Sequence, residues 1–253
     1  MRLALWFLCA TFLWAEALES TARYKVGYGF FTLGEATAVL KIDGEGRYET
    51  RVSAKATGLA ATLSGNQREF YVSKGRVIDG RLQPDFYEKR MERSNRVRTK
   101  RYRFNHDAQT VLETKISCKK DKCSQSEKKL TGEKYAPDDI LTLYHNVTHH
   151  FIQSGESARA ASAIGSSKAV EVLLPTGDRL KTAQKTFKEQ PGTYLVVILN
   201  QEIFTSDQGE LYMNVGADRV TSKAVLKKTL LFGDVWGELI EKKTKGSFHA
   251  ANH

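Results

Sequence analysis

The chain has 253 residues, 41% of them apolar, with 12 Phe, 10 Tyr and 3 Trp; this composition supports a packed core and excludes a disordered polypeptide. Its formal net charge of +10, from 39 Lys and Arg against 29 Asp and Glu, favours anionic partners: lipid headgroups, lipopolysaccharide, acidic glycans or nucleic acid. After the first residues no stretch approaches the roughly 20 apolar residues that a membrane-spanning helix needs.

Residues 1–17, MRLALWFLCATFLWAEA, read as a secretory signal peptide: Arg2, an apolar run from Leu3 to Trp14, then the small-x-small end Ala15-Glu16-Ala17. The run is too short to span a bilayer, so cleavage after Ala17 is expected instead of an uncleaved anchor. Cys9 does not fit an acylated lipoprotein cysteine, because Leu8 before it is not small and it lies inside the apolar run. The chain is therefore expected to be exported, which places nucleic acid last among the anions. Residues 18–253 then form a single exported β domain, or two β halves joined around a helix at 138–151.

Period-two alternation dominates the chain after Ala17. Tyr24, Val26, Tyr28 and Phe30 share a face; a turn is expected at Leu33-Gly34-Glu35, then a strand to Ile42, a glycine turn at Asp43-Gly44-Glu45-Gly46, and a strand over 47–57. Leu59–Leu63 reads as a helical turn or apolar loop. Strands are expected over 68–73 and 76–82 about a Lys74-Gly75 turn, over 85–93 after Pro84, and over 97–105 and 110–118 about His106–Gln109. Tight turns at this spacing are the mark of an antiparallel barrel or curved half-barrel built of hairpins.

From Lys89 to Arg103 the chain is crowded with cations: Lys89, Arg90, Arg93, Arg96, Arg98, Lys100, Arg101 and Arg103, with Glu92 the only acid. This is either a specific anion-binding patch or two solvated strand faces about a Ser94-Asn95 turn. Paired strands there would set cations opposite one another, which costs stability unless anions are near. Cys118 and Cys123, the two cysteines left after cleavage, read as a structural disulfide clamping a hairpin end. The pair is too few for a metal site, and its spacing is not the Cys-x-x-Cys of a redox centre.

Pro137-Asp138-Asp139 opens Ile140, Leu141, Leu143, Tyr144, Val147 and Phe151 at helical spacing, with the acids placed to cap the helix. This helix is expected against the sheet as a plug or hinge. Strands resume over 156–163, 168–174, 179–187, 194–200, 211–215, 219–226 and 236–240, with 201–204 a brief apolar connection.

Several of these pieces together resemble the bacterial domain-of-unknown-function family 3108: Tyr24-Lys25-Val26-Gly27-Tyr28 with Leu33-Gly34-Glu35-Ala36, Tyr48 to Gly58, Gly75 to Pro84-Asp85-Phe86-Tyr87, and Asp138 to Tyr144. Phe204-Thr205-Ser206-Asp207 through Phe232-Gly233 to Glu238-Leu239 fits as well. The resemblance implies an exported, envelope-located β protein, which together with the leader narrows the expected address to the periplasm, and it transfers no catalytic residue. The basic block and the cysteine pair depart from the family's pattern.

His145 and His149, four apart, share a helix face and could hold one zinc, but no third ligand follows on that helix. The Asn146-Val147-Thr148 sequon would point its apolar middle inward. Gly-x-Ser-x-Gly, His-Glu-x-x-His and phosphate-loop patterns are absent, so no enzyme, cofactor or metal is expected. Tyr28, Phe30, Phe70, Phe86, Tyr102 and Phe104 either fill the barrel core or line an apolar surface for a lipid or other envelope component. The expected function is binding, with the basic block as a rim for lipopolysaccharide-like anionic groups. The alternative is an accessory protein with a filled core that makes a peripheral contact with a membrane or anionic partner. Oligomeric state is left open by the sequence.

Overall fold

A computed structural model describes residues 17–120, 122–164, 170–199, 209–229 and 233–246. The leader read in residues 1–17, apart from Ala17, and the connection at 201–204 lie outside the described residues. Strands β1 (Leu18–Tyr28), β2 (Phe31–Ile42), β3 (Arg47–Ala56), β4 (Arg68–Ile78), β5 (Arg81–Arg93), β6 (Arg96–Asn105), β7 (Thr110–Lys119) and β8 (Lys122–Thr131) form an antiparallel meander, with helix α1 (Gly58–Ser64) between β3 and β4. A second meander contains β9 (Ala158–Ala161), β10 (Val170–Leu173), β11 (Thr193–Ile198), β12 (Glu210–Val215), β13 (Thr221–Thr229) and β14 (Gly233–Lys245). Pairing of β14 with β1 fuses the two into one 14-stranded antiparallel sheet, an unclosed barrel with β8 and β9 at its edges.

The chain passes from one edge to the other through α2, which comprises Ile140–Asn146, a π-helical turn Val147–Phe151, and Ile152–Ser154. Asp139 caps it, accepting from the amides of Leu141 (2.8 Å) and Thr142 (3.1 Å), while Thr142 Oγ1 accepts from the Asp139 amide. The face of the sheet that α2 covers is the inner face. There Val147 and Phe151 pack with Val172, Leu195, Met213 and Val215.

Two glycine assignments are corrected. Gly34 lies within β2 and Gly75 within β4; the turns fall at Gly29-Phe30 and Asp79-Gly80. Both mark close backbone approach instead: a Cβ on Gly34 would meet the Lys55 carbonyl oxygen at 2.1 Å, and one on Gly75 the Gln83 oxygen at 2.0 Å. The segment expected as a strand over 179–187 is helix α3 (Gly177–Phe187). Leu180, Ala183 and Phe187 fall on one helical face, and Ala183 and Phe187 bury against Val196, Tyr212 and Val225 on the outer face. With α2 inside and α3 outside, β11 is covered on both sides, which explains its buried run Leu195-Val196-Val197.

Asn146 performs a strand's task. β6 pairs with β5 only as far as Phe86, so Leu82 has no neighbouring strand on that side. The Asn146 Oδ1 accepts from the Leu82 amide (2.9 Å) and its Nδ2 donates to the Leu82 carbonyl (3.0 Å) and to Asp138 (2.8 Å). Asn146→Ala is expected to cost about 3 kcal/mol in urea unfolding, since it strands buried backbone groups. Cys118 and Cys123 are directly opposite across β7 and β8, with Cα atoms 4.1 Å apart, and are bonded. Replacing both by Ser is expected to cost roughly 2 kcal/mol, the loop-closure value for so short a ring.

Candidate functional site

Alternation fixes which side chains meet on the inner face. In register across β1, β2 and β3 lie Ala22, Ala38 and Val52, and beside them Tyr24, Ala36 and Ala54. Small residues on adjacent strands leave volume that nothing fills. The result is a cavity of about 520 Å³ between these strands, Leu211 and Met213 of β12, and the α2 side chains Ile140, Leu141, Tyr144, His145 and His149. Its size suits a small-molecule or acyl ligand.

The polar groups on its wall are neutral. The Tyr144 hydroxyl donates to Thr221 Oγ1 (2.9 Å) and accepts from the Thr221 amide (3.2 Å). Burial pushes the Tyr24 hydroxyl far above its ordinary range, with Tyr144 beside it adding to the effect. His145 meets Thr50 Oγ1 at 3.4 Å, and its ring lies 6.2 Å from that of His149. Burial first, and then the neighbouring ring, lowers His145 to about 3; burial and then Arg219 lower His149 to about 4. Charge enters only near the cavity's Asp218, Arg219 and Lys242, where Lys242 pairs with Asp218.

Along the strand-to-strand direction the inner face changes character. Val52 is in register with Tyr71, Tyr71 with Lys89, Lys89 with Lys100, and Lys100 with Lys115. Three lysines thus stand in one row starting two strands from the cavity wall, at about 4.8 Å per strand. The Lys89 ammonium lies 5.0 Å from the centre of the Tyr71 ring, and Lys115 pairs with Glu113 at 3.1 Å. Arg98, Lys100 and Lys115 border a second hollow of about 430 Å³ with Ser117 and Ser126.

The basic block is therefore split by the pleat. Lys89, Arg93, Arg96, Arg98 and Lys100 share the inner face; Arg90, Arg101 and Arg103 are on the outer face, where Arg90 pairs with Glu92 and Arg101 with Glu88, both at 2.6 Å. Lys115, from outside the block, completes the row. The six aromatic residues fall elsewhere than the cavity. Tyr102 and Phe104 belong to an inner-face core with Tyr87 and Val111; Phe70 and Phe86 are half-buried on the outer face; Tyr28 is half-buried at the end of β1; and Phe30 is fully exposed in the turn after it. The cavity is marked by alanines, which carry no aromatic signal. Among the described residues no group of three His, Cys, Asp or Glu is placed to hold a metal.

The family model described as "Protein of unknown function (DUF3108)" matches residues 23–239. The chain belongs to this family. Its fold is similar to the "Beta-barrel-like Protein of Domain of Unknown Function DUF1849 from Brucella abortus", at a TM-score of 0.50 and 9% identity, with 90% of this chain and 98% of that one covered. No curated protein matches the sequence. Among the described residues no helix is long and apolar enough to cross a membrane.

The buried histidines give the DUF3108 protein a defined acid response. Their folded pKa values lie below the ordinary 6.5, so the unfolded chain takes up protons first, and stability falls as the pH drops from about 6.5 towards 4. Asp139 opposes them: burial raises it to about 6, above its ordinary 3.8, so acid relieves the cost of its buried charge over the same range. In urea titrations at successive pH values, His145→Gln with His149→Gln is expected to flatten the acid loss and Asp139→Asn to steepen it.

Proposed function

We propose that this protein is a non-enzymatic periplasmic carrier or receptor for an anionic amphiphile. The acyl part occupies the cavity beneath α2, and the headgroup lies along the Lys89–Lys100–Lys115 row. The observation that carries this reading is the juxtaposition on one face: an unfilled apolar cavity of about 520 Å³ whose wall residue Val52 starts the register that runs through Tyr71 to the lysines. Each part costs stability without a ligand. Unfilled apolar volume forfeits packing, at about 24 cal/mol per Å³ in large-to-small substitutions. Lysines set directly opposite lysines repel. A bound acyl chain and its phosphate or carboxylate remove both penalties. The neutral histidines and tyrosines offer hydrogen bonds to an ester or carboxyl group without placing charge against the chain. The periplasmic address rests on the leader pattern in residues 1–17 and on the paired cysteines.

Mass spectrometry of an organic extract from natively purified protein is expected to yield an acyl lipid in near-stoichiometric amount. Ala38→Trp, which fills the cavity from β2, is expected to remove it, and Lys100→Glu to weaken its retention by at least tenfold, equivalent to about 1.4 kcal/mol. A folded native protein that yields no apolar ligand and takes up none would overturn the reading.

A further inference from the structure

The two ends of the sheet differ in chemistry. Successive turns of a meander alternate between its ends, so the turns β2–β3, β4–β5, β6–β7 and β12–β13 lie at one end, and β1–β2, β5–β6 and β7–β8 at the other. The first set, counted with the strand residues that flank each turn, carries Asp43, Glu45, Asp79, Asp107 and Asp218 against Arg47, Arg81 and Arg219. In the second set, Arg93 is in register with Arg96, Arg96 with Lys119, and Lys119 with Lys122, while Lys120 occupies the β7–β8 turn. Arg93 donates to the neutral Gln67 Oε1 at 2.9 and 2.7 Å; among the described residues, Arg96, Lys119, Lys120 and Lys122 have no ion-pair partner.

The β1–β2 turn at this cationic end presents Phe30 and Phe31, 103% and 73% exposed. The turn is firmly held. Gly29 donates its amide to the Asp234 carbonyl (3.0 Å), and the Trp236 indole donates to the Gly29 carbonyl (2.9 Å). The ring lies over Gly27 so closely that a Cβ there would sit 2.1 Å from it. Among the described residues Phe30 and Phe31 join no hydrophobic cluster, and the hydration of two adjacent exposed phenyl groups is unfavourable. The basic row at the same end of the sheet has the complement expected of an anionic leaflet, and protruding phenyl groups suit a fluid interface.

We propose that this end of the sheet docks on an anionic bilayer, with Phe30 and Phe31 inserted among the acyl chains and Arg93, Arg96, Lys119, Lys120 and Lys122 on headgroup phosphates. The acidic turns point the opposite end into solution. None of these residues lines the cavity, so docking stands independently of the ligand reading.

Co-sedimentation with phosphatidylcholine vesicles, with and without phosphatidylglycerol, tests the proposal. Native protein is expected to bind the phosphatidylglycerol vesicles, and Phe30→Ser with Phe31→Ser to lose on the order of 100-fold in partitioning. Lys119→Gln with Lys122→Gln is expected to lose roughly 25-fold on the anionic vesicles alone, an effect that salt erases. Phe30→Trp, a second readout that leaves the turn apolar, is expected to shift its emission to the blue on binding. The proposal is overturned if folded native protein ignores the anionic vesicles, if the Phe30/Phe31 variant binds as the native protein does, or if the tip engages only an acidic protein surface. The Phe30/Phe31 variant is expected to keep the ligand that Ala38→Trp loses, so the two readings fail separately.

Discussion

Four side chains projecting from α2 and its cap hold the helix on the inner face of the sheet, and the arrangement of the sheet depends on them. Asp139 accepts from Ser73 of β4 (2.5 Å), Asn146 completes the open side of β5 at Leu82, His145 meets Thr50 of β3, and Tyr144 reaches Thr221 of β13. β3, β4 and β5 are neighbours in the sheet order but β13 stands four strands from β3, so one helix can touch them all only if the sheet curls around it. Such buried polar contacts specify position more sharply than apolar packing does, because each misplacement strands a hydrogen-bonding group. The helix is also the connection between the two sheet edges. It spans the opening and roofs the cavity at once.

The inner face departs from optimal packing at two neighbouring places. Alanines meet at β1 and β2, and lysines meet at β5 to β7. Each departure weakens the free protein, and a single amphiphilic ligand would offset both. Sites where a chain tolerates such local conflict are where function is expected. On the outer face several cations are matched by acids, as with Arg51 on Glu49 (2.6 Å) and Lys74 on Glu49 (2.7 Å). The crowded cations of the sequence are therefore divided by the pleat between ion pairs outside and the lysine row inside.

Much of the fold was legible because hairpins leave local marks. The Asp43–Gly46 and His106–Gln109 turns, the cysteine pair and the Asp139 cap all depend on residues close in sequence. What was not legible depended on the phase of one strand against another. Gly34 and Gly75 look like turn residues until the partner carbonyls of Lys55 and Gln83 are in place. The α3 segment alternates loosely enough to pass for a strand, and only the outer-face contacts of Ala183 and Phe187 decide for a helix. The candidate site was hidden for a related reason. Large aromatic residues draw notice as pocket walls, whereas this cavity exists because Ala22, Ala36 and Ala38 are small. Lys115 joins Lys89 and Lys100 only through the registers of two hairpins, so no linear window contains the row.

The sequence supplies a direct reporter for the central claim, that an acyl chain occupies the cavity beneath α2. Of the three methionines, Met1 opens the leader pattern, Met213 lines the cavity, and Met91 is on β5. With methyl-labelled methionine, titration of delipidated protein with a long-chain fatty acid is expected to move the Met213 methyl resonance strongly and that of Met91, two residues from Lys89 on the same face, less. A Met213 resonance that stays fixed at saturating fatty acid, or a shift confined to Met91, would contradict the account.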